Sequence, residues 1–141
     1  MGTLFGFRYI VVPHVIKNNR KTIDFNNIQF PKSPNFYYSS AKNSIVNISI
    51  STLEKHWDDM ISKQPRVTLL LSKKNGRQRV YVQLSAFWHF PDFIDAKFIV
   101  INSKRSSLEI YSRSYFGYSD FGVNKKRIKQ WILALKNEIG R

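Results

Sequence analysis

The sequence predicts an α+β domain: a mostly antiparallel four-stranded sheet with two helices on one face, a two-layer sandwich preceded by an extended N-terminal arm. Three observations carry that expectation. Four β-type runs follow one another between residues 67 and 114, with turn residues between them. Two stretches with apolar residues at helical spacing flank those runs. The 141 residues are 43% hydrophobic and 15% aromatic, which suits a folded core. A chain of this length buries roughly two-thirds of its unfolded surface, enough for a single domain without staples.

The elements follow in chain order. Residues 1–29 read as an apolar arm and linker, and 30–141 as one α+β domain. Met1–Ile16 is apolar but interrupted by Arg8, Pro13 and His14. It falls short of the ~20 apolar residues of a membrane span. It also lacks the basic start and small-residue cleavage site of a signal peptide. The expectation is a docking arm or edge strand, with contact at a membrane surface as the alternative. Lys17–Asn27 is polar, aperiodic and linker-like. In Phe30–Ser40, Pro31 and Pro34 impose an extended or turned backbone, and the aromatics there need cover. Asn43–Ile50 alternates weakly, as a short strand would.

Ser51 or Thr52 offers an N-cap for a helix over Thr52–Lys63, whose apolar face is Leu53, Trp57, Met60 and Ile61. The strands are Val67–Ser72, Arg77–Phe87, Lys97–Asn102 and Leu108–Ser114. Asn75-Gly76 is a hairpin signal, because the favoured tight turn needs positive φ at both central residues. In the second strand Val80, Val82 and Leu84 point one way, and Arg79, Tyr81 and Gln83 the other. Phe87–Asp95 is an aromatic corner. The last helix runs from Val123 to Glu138 on the stripe Ile128, Trp131, Ile132, Leu135 and Ile139, with Gly140 suited to its C-cap.

Charge is the outlier. Twenty-three Lys and Arg against nine Asp and Glu give +14. That favours anionic partners: an acidic protein, RNA or acidic lipid. There is no cysteine, so disulfides, thiolate metal sites and a cysteine nucleophile are excluded. His14, His56 and His89 have no metal spacing, and no metal or cofactor is expected. No nucleophile elbow or phosphate loop is present.

The candidate site is the stretch from Tyr111 to Gln130. Ser112, Ser114, Tyr115, Tyr118 and Ser119 supply hydroxyls, Arg113 a cation, and Gly117 and Gly122 close backbone approach. Asp120 or Asn124 is the N-cap of the last helix. Lys125, Lys126 and Arg127 then fall in its first turn, the wrong end for cations, at ~0.3–1 kcal/mol each. A bound anion would offset this. The alternative is that the three side chains splay into water. A secondary basic patch is Lys73, Lys74, Arg77 and Arg79.

These residues also resemble the domain of unknown function 1499 family, whose C-terminal signature reads approximately R-S-x-S-R-x-G-x-x-D-x-G-x-N-x-x-R. Ser112, Ser114, Gly117, Asp120, Gly122, Asn124 and Arg127 match it. Pro31, Pro34, Asn35, Ser39 and Ser40 match its P-x-x-P-N-C-V-S-S segment, and Phe90, Pro91 and Asp92 its F-x-F-P-D-D corner. The signature arginines align with Tyr111 and Tyr115, its cysteines with Phe30 and Phe36, and the second acid of the corner with Phe93. The resemblance implies no particular reaction. It implies a divergent member, in a family whose members look exported, membrane-attached or plastid-targeted.

The function expected is a non-catalytic binding or assembly module, an accessory subunit of a larger membrane or ribonucleoprotein complex. The alternatives are a stand-alone binder of an anion or nucleic acid, and a hydrolase-like enzyme with its site between Asp92, Asp120 and the serines.

Overall fold

The computed structural model describes residues 3–73 and 77–141. One antiparallel sheet runs in the order β1-β5-β4-β3-β2, from β1 (Phe36–Ser39), β2 (Val67–Lys73), β3 (Gln78–Leu84), β4 (Pro91–Asn102) and β5 (Arg105–Ser114). The helices are α1 (Leu4–Gly6), α2 (Val12–Asn18), α3 (Ile50–Ile61) and α4 (Val123–Ile139). The Asn75-Gly76 turn lies outside the described residues.

The pleat explains the main core. Register pairs Tyr81 with Ile94, Ala96 with Ile110 and Phe98 with Leu108. These side chains therefore share one face. Helices α3 and α4 close over it with Leu53, Trp57, Met60, Ile128, Trp131 and Leu135. Each fully buried large apolar side chain contributes ~1.5–3 kcal/mol. The Trp57 indole N–H donates to the Tyr81 hydroxyl at 2.8 Å, so the one polar atom each ring brings inside is satisfied. Burial pushes the Tyr81 phenol up to about 12.

Several expectations are corrected, the strand count first. The sheet has five strands, not four. The added strand, β1, lies within Phe30–Ser40 and pairs Phe36 with Arg113 through to Ser39 with Ile110. It is a short edge strand just past Pro34, where a missing N–H does no harm. Asn43–Ile50 instead contributes a single bridge, Val46 to Ser106. Its end supplies the α3 N-cap, where Ser49 Oγ accepts the Thr52 N–H at 3.3 Å.

The second correction concerns the N-terminal arm, which is helical rather than extended. A π-type turn, Phe7–Val11, joins α1 to α2 without a break. Pro13 follows directly. A proline inside a helix lacks a donor and crowds the carbonyl four residues back; the wider π turn is where a helix absorbs such a fault. The inner side of the run is buried at Phe7, Val12 and Val15. Phe7 rests on the rings of Phe90 and Phe116 at 5.3 and 5.2 Å. Val15 joins Leu70, Val80, Val82 and Phe93 in a second core on the sheet face away from α3 and α4. The arm thus has a core role, and part of that face carries a third layer.

Strand β4 begins at Pro91, earlier than the sequence spacing implied. The end of β3, the start of β4, the end of β5 and the start of α4 consequently meet along the strand-end edge of the sheet, where its three inner strands finish or begin.

Candidate functional site

At that edge the side chain of Asn124 is the hub. It is fully buried. Its amide N–H groups donate to the Asn35 carbonyl at 3.1 Å, to Ser114 Oγ at 2.9 Å and to Asp120 Oδ2 at 2.7 Å. Its oxygen accepts from Ser112 Oγ at 2.6 Å and from Arg127 Nη1 at 2.8 Å. Asn35 in turn donates to the Gly117 carbonyl at 3.1 Å. Gly117 has φ +90°, which is why glycine suits that turn. Two of the three sequence blocks that carry the family resemblance are thereby tied into one network, and the bond from Arg127 to Asp92 brings in the third.

Arg127 does not splay into water. Its Nη2 donates to Asp92 Oδ2 at 2.6 Å, its Nη1 also to Ser112 Oγ at 3.0 Å, and its Nε to Gln83 Oε1. Burial pushes the Asp92 carboxyl above its ordinary value, against the pull of Arg127. Asp120 is the anion at the start of α4. Gly122 is the N-cap residue at φ +81°, and the Asp120 carboxylate accepts the N–H groups of Gly122 at 2.8 Å and Asn124 at 3.2 Å. Burial pushes Asp120 up, but the hydrogen bonds from Asn124 and from these N–H groups outweigh it and hold the carboxyl below its ordinary value.

A second buried pair lies on the other face of the sheet. Arg113 Nη1 meets Asp95 Oδ2 at 2.5 Å, and the guanidinium lies 4.9 Å from the centre of the Tyr111 ring. Asp95 also accepts the Ile23 N–H at 3.3 Å, fastening the linker to β4. Phe30 and Phe36 stack at 5.2 Å, with Tyr111 edge-on to both. Phe30, Phe36 and Tyr111 thus form one aromatic cluster.

Beside the Asp92–Arg127 pair opens a pocket of ≈ 730 Å³. Its polar floor is Asp92, Arg127, Ser114 and Gln83, and its walls include Leu84, Phe90, Phe116 and Val123, with Phe121, Asp120, Ser119 and Arg66 also lining it. Phe121 is 94% exposed and holds φ +51°, and Arg66 holds φ +55°. Left-handed backbone at such residues costs about 1–3 kcal/mol each and concentrates at ligand clamps and switches.

The remaining candidates are dispersed. Tyr118 is exposed. Lys125 and Lys126 are exposed and, with Lys129, line a shallow groove on the outer side of α4. Arg77 and Arg79 turn to acids of α3: Arg77 pairs with Glu54 at 3.5 Å, and Arg79 with Asp58 at 3.1 Å. Arg79 also lies 4.7 Å over the Phe98 ring. Lys73 ends β2, and Lys74 lies outside the described residues. Among those described there is no group of three or more His, Asp or Glu placed to hold a metal, and no helix long and apolar enough to cross a membrane.

Sequence reasoning missed Gln83, Arg66 and Phe121. Alternation places Gln83 on the same side of β3 as Arg79 and Tyr81, but nothing in the sequence pairs it with Arg127. For the N-terminal arm the sequence suggests a docking segment but not its helical form.

Fold and site together define an α+β domain with a pocket at one edge of an open antiparallel sheet. Residues 26–135 match the family model described as Protein of unknown function (DUF1499), and the chain belongs to that family. A search of curated protein sequences finds no match.

Proposed function

We propose that this chain is a non-catalytic binding module, an accessory subunit that docks on a larger protein assembly through its N-terminal helix. The observation that carries this reading is the outer side of that helix. Phe5, Tyr9 and Ile10 are 67%, 61% and 64% exposed, while Phe7, Val12 and Val15 anchor the same helix to the sheet. Exposed apolar groups gathered on one rigid face mark interaction surfaces. Ring contacts lead from Phe7 through Phe90 and Trp88 to Phe87, and Phe87 and Trp88 are exposed as well. Residues 1–23 hold Arg8, Lys17, Arg20 and Lys21 and no acid. The complementary partner is therefore an acidic protein surface bearing an apolar groove. Both carboxylates at the sheet edge are engaged within the fold, Asp92 by Arg127 and Asp120 by the start of α4, which supports a non-catalytic role. The test is native mass from its own source. A complex well above the chain's 16.6 kDa is expected; a lone chain at physiological salt would overturn the reading.

A second reading rests on Lys125, Lys126 and Lys129, exposed along one side of α4 and free of ion pairs among the described residues. Such a row suits a phosphate backbone. Affinity for single-stranded RNA would then fall with a log–log salt slope of about −0.7 per phosphate contacted; a flat profile would remove this reading.

A further inference from the structure

The pocket at the sheet edge has a floor whose charges already answer one another, beneath three phenylalanine rings. We propose that it binds a neutral aromatic molecule carrying a hydroxyl or amide N–H. The Asp92 carboxylate accepts that donor, and Phe90, Phe116 and Phe121 hold the ring.

Size and lining come first. A volume of ≈ 730 Å³ lies within the roughly 300–1,000 Å³ of small-molecule sites, which are apolar with a few converging polar groups. Charge then selects the ligand. Arg66 and Arg127 against Asp92 and Asp120 leave the lining with no net charge. Arg127 is committed to Gln83, Ser112, Asn124 and Asp92. An incoming carboxylate or phosphate would meet two carboxylates and an Arg127 guanidinium with little left to donate, so that only Arg66, exposed at the rim with its Nε already on the Leu84 carbonyl, could answer it. An incoming donor finds Asp92, whose carboxylate takes the Arg127 bond at Oδ2 and the Ser114 hydroxyl but has about four acceptor positions. The rim points the same way. Phe121 is 94% exposed at φ +51°, a bulky ring held out at the mouth of the pocket in a backbone conformation that disfavours it. A ligand ring would cover it.

This site is independent of the docking face on the N-terminal helix, so either can fail without the other. The experiment uses the full chain and three probes of one shape, followed by saturation-transfer NMR: 2-naphthol, 2-methoxynaphthalene, which lacks the donor, and 2-naphthoate, which is anionic. Saturable binding of 2-naphthol is expected, with the other two at least about tenfold weaker, as loss of a hydrogen bond to a charged group implies. Val123→Trp, at a half-exposed wall position, should abolish binding. No saturable binding of 2-naphthol, equal or tighter binding of either other probe, or unchanged binding by a folded Val123→Trp chain would overturn the proposal. Should that variant fail to fold, the order of the three probes on the unaltered chain decides.

Discussion

Arg127 in α4 and Asp92 in β4 form an ion pair across the helix–sheet interface, Nη2 to Oδ2 at 2.6 Å, with 10% and 13% of their side chains exposed. The pair locks the start of α4 over the sheet edge and forms the floor of the pocket. Removing one partner of a buried pair strands the other charge, whereas replacing both with apolar groups removes the penalty. Arg127→Met should therefore cost about 3–5 kcal/mol. The double change with Asp92→Leu should cost clearly less. Urea denaturation of the two variants measures the difference.

Asn124 joins Asn35, Ser112, Ser114, Asp120 and Arg127 through one side chain. Asn124→Ala leaves several buried groups without partners, at about 1–3 kcal/mol for each one unsatisfied. The expected loss is about 3 kcal/mol in denaturant. Hydrogen exchange should quicken first in residues 115–122, the loop this hub holds.

The pH dependence of Asp120 has a definite sign. Its carboxyl lies below the ordinary 3.8. A group depressed in the fold contributes stability that is present above its unfolded value and lost as pH falls through its folded value. The stability gap between the unaltered chain and Asp120→Asn should be full at neutral pH and close in acid. Asp92 and Asp95 run the other way. Burial, opposed by Arg127 and Arg113, holds both above 3.8. Their contribution is present below 3.8 and lost as pH rises through their folded values. Urea unfolding between about pH 7 and about pH 3 reads both effects.

Phe7 and Phe5 sit two residues apart on the N-terminal helix with opposite fates, 1% and 67% exposed. Phe7→Ala should cost about 3–5 kcal/mol through the cavity left against Phe90 and Phe116. Phe5→Ser should change stability by no more than ~0.5 kcal/mol. Thermal and urea unfolding separate the two.

Much of the fold was legible in the residues. Trp57, Ile128, Trp131 and Leu135 announced both long helices, because burying one face demands a regular spacing. The alternation through Val80, Tyr81 and Val82 placed β3 correctly. Two elements hid for physical reasons. In the N-terminal helix the buried residues Phe7, Val12 and Val15 are five and then three apart, because the π turn resets the period, and Pro13 reads as a breaker. Strand β1 is four residues long and follows two prolines, so local pattern was too weak and only pairing with β5 defines it. At the site, Asn124, Asp120 and Arg127 were singled out, but their partners lie far away in sequence. The spacing put Arg127 among outward cations; only the fold shows that Asp92 and Gln83 draw it inward.

The central claim is that the exposed side of the N-terminal helix is a docking face. The most direct measurement compares the native mass, in source extract at physiological salt, of the unaltered chain and of the triple variant Phe5→Ser, Tyr9→Ser, Ile10→Ser. The account predicts that the unaltered chain migrates within a larger assembly, while the variant, equally stable in urea, migrates alone. A variant that stays in the assembly, or an unaltered chain that migrates alone, would contradict it.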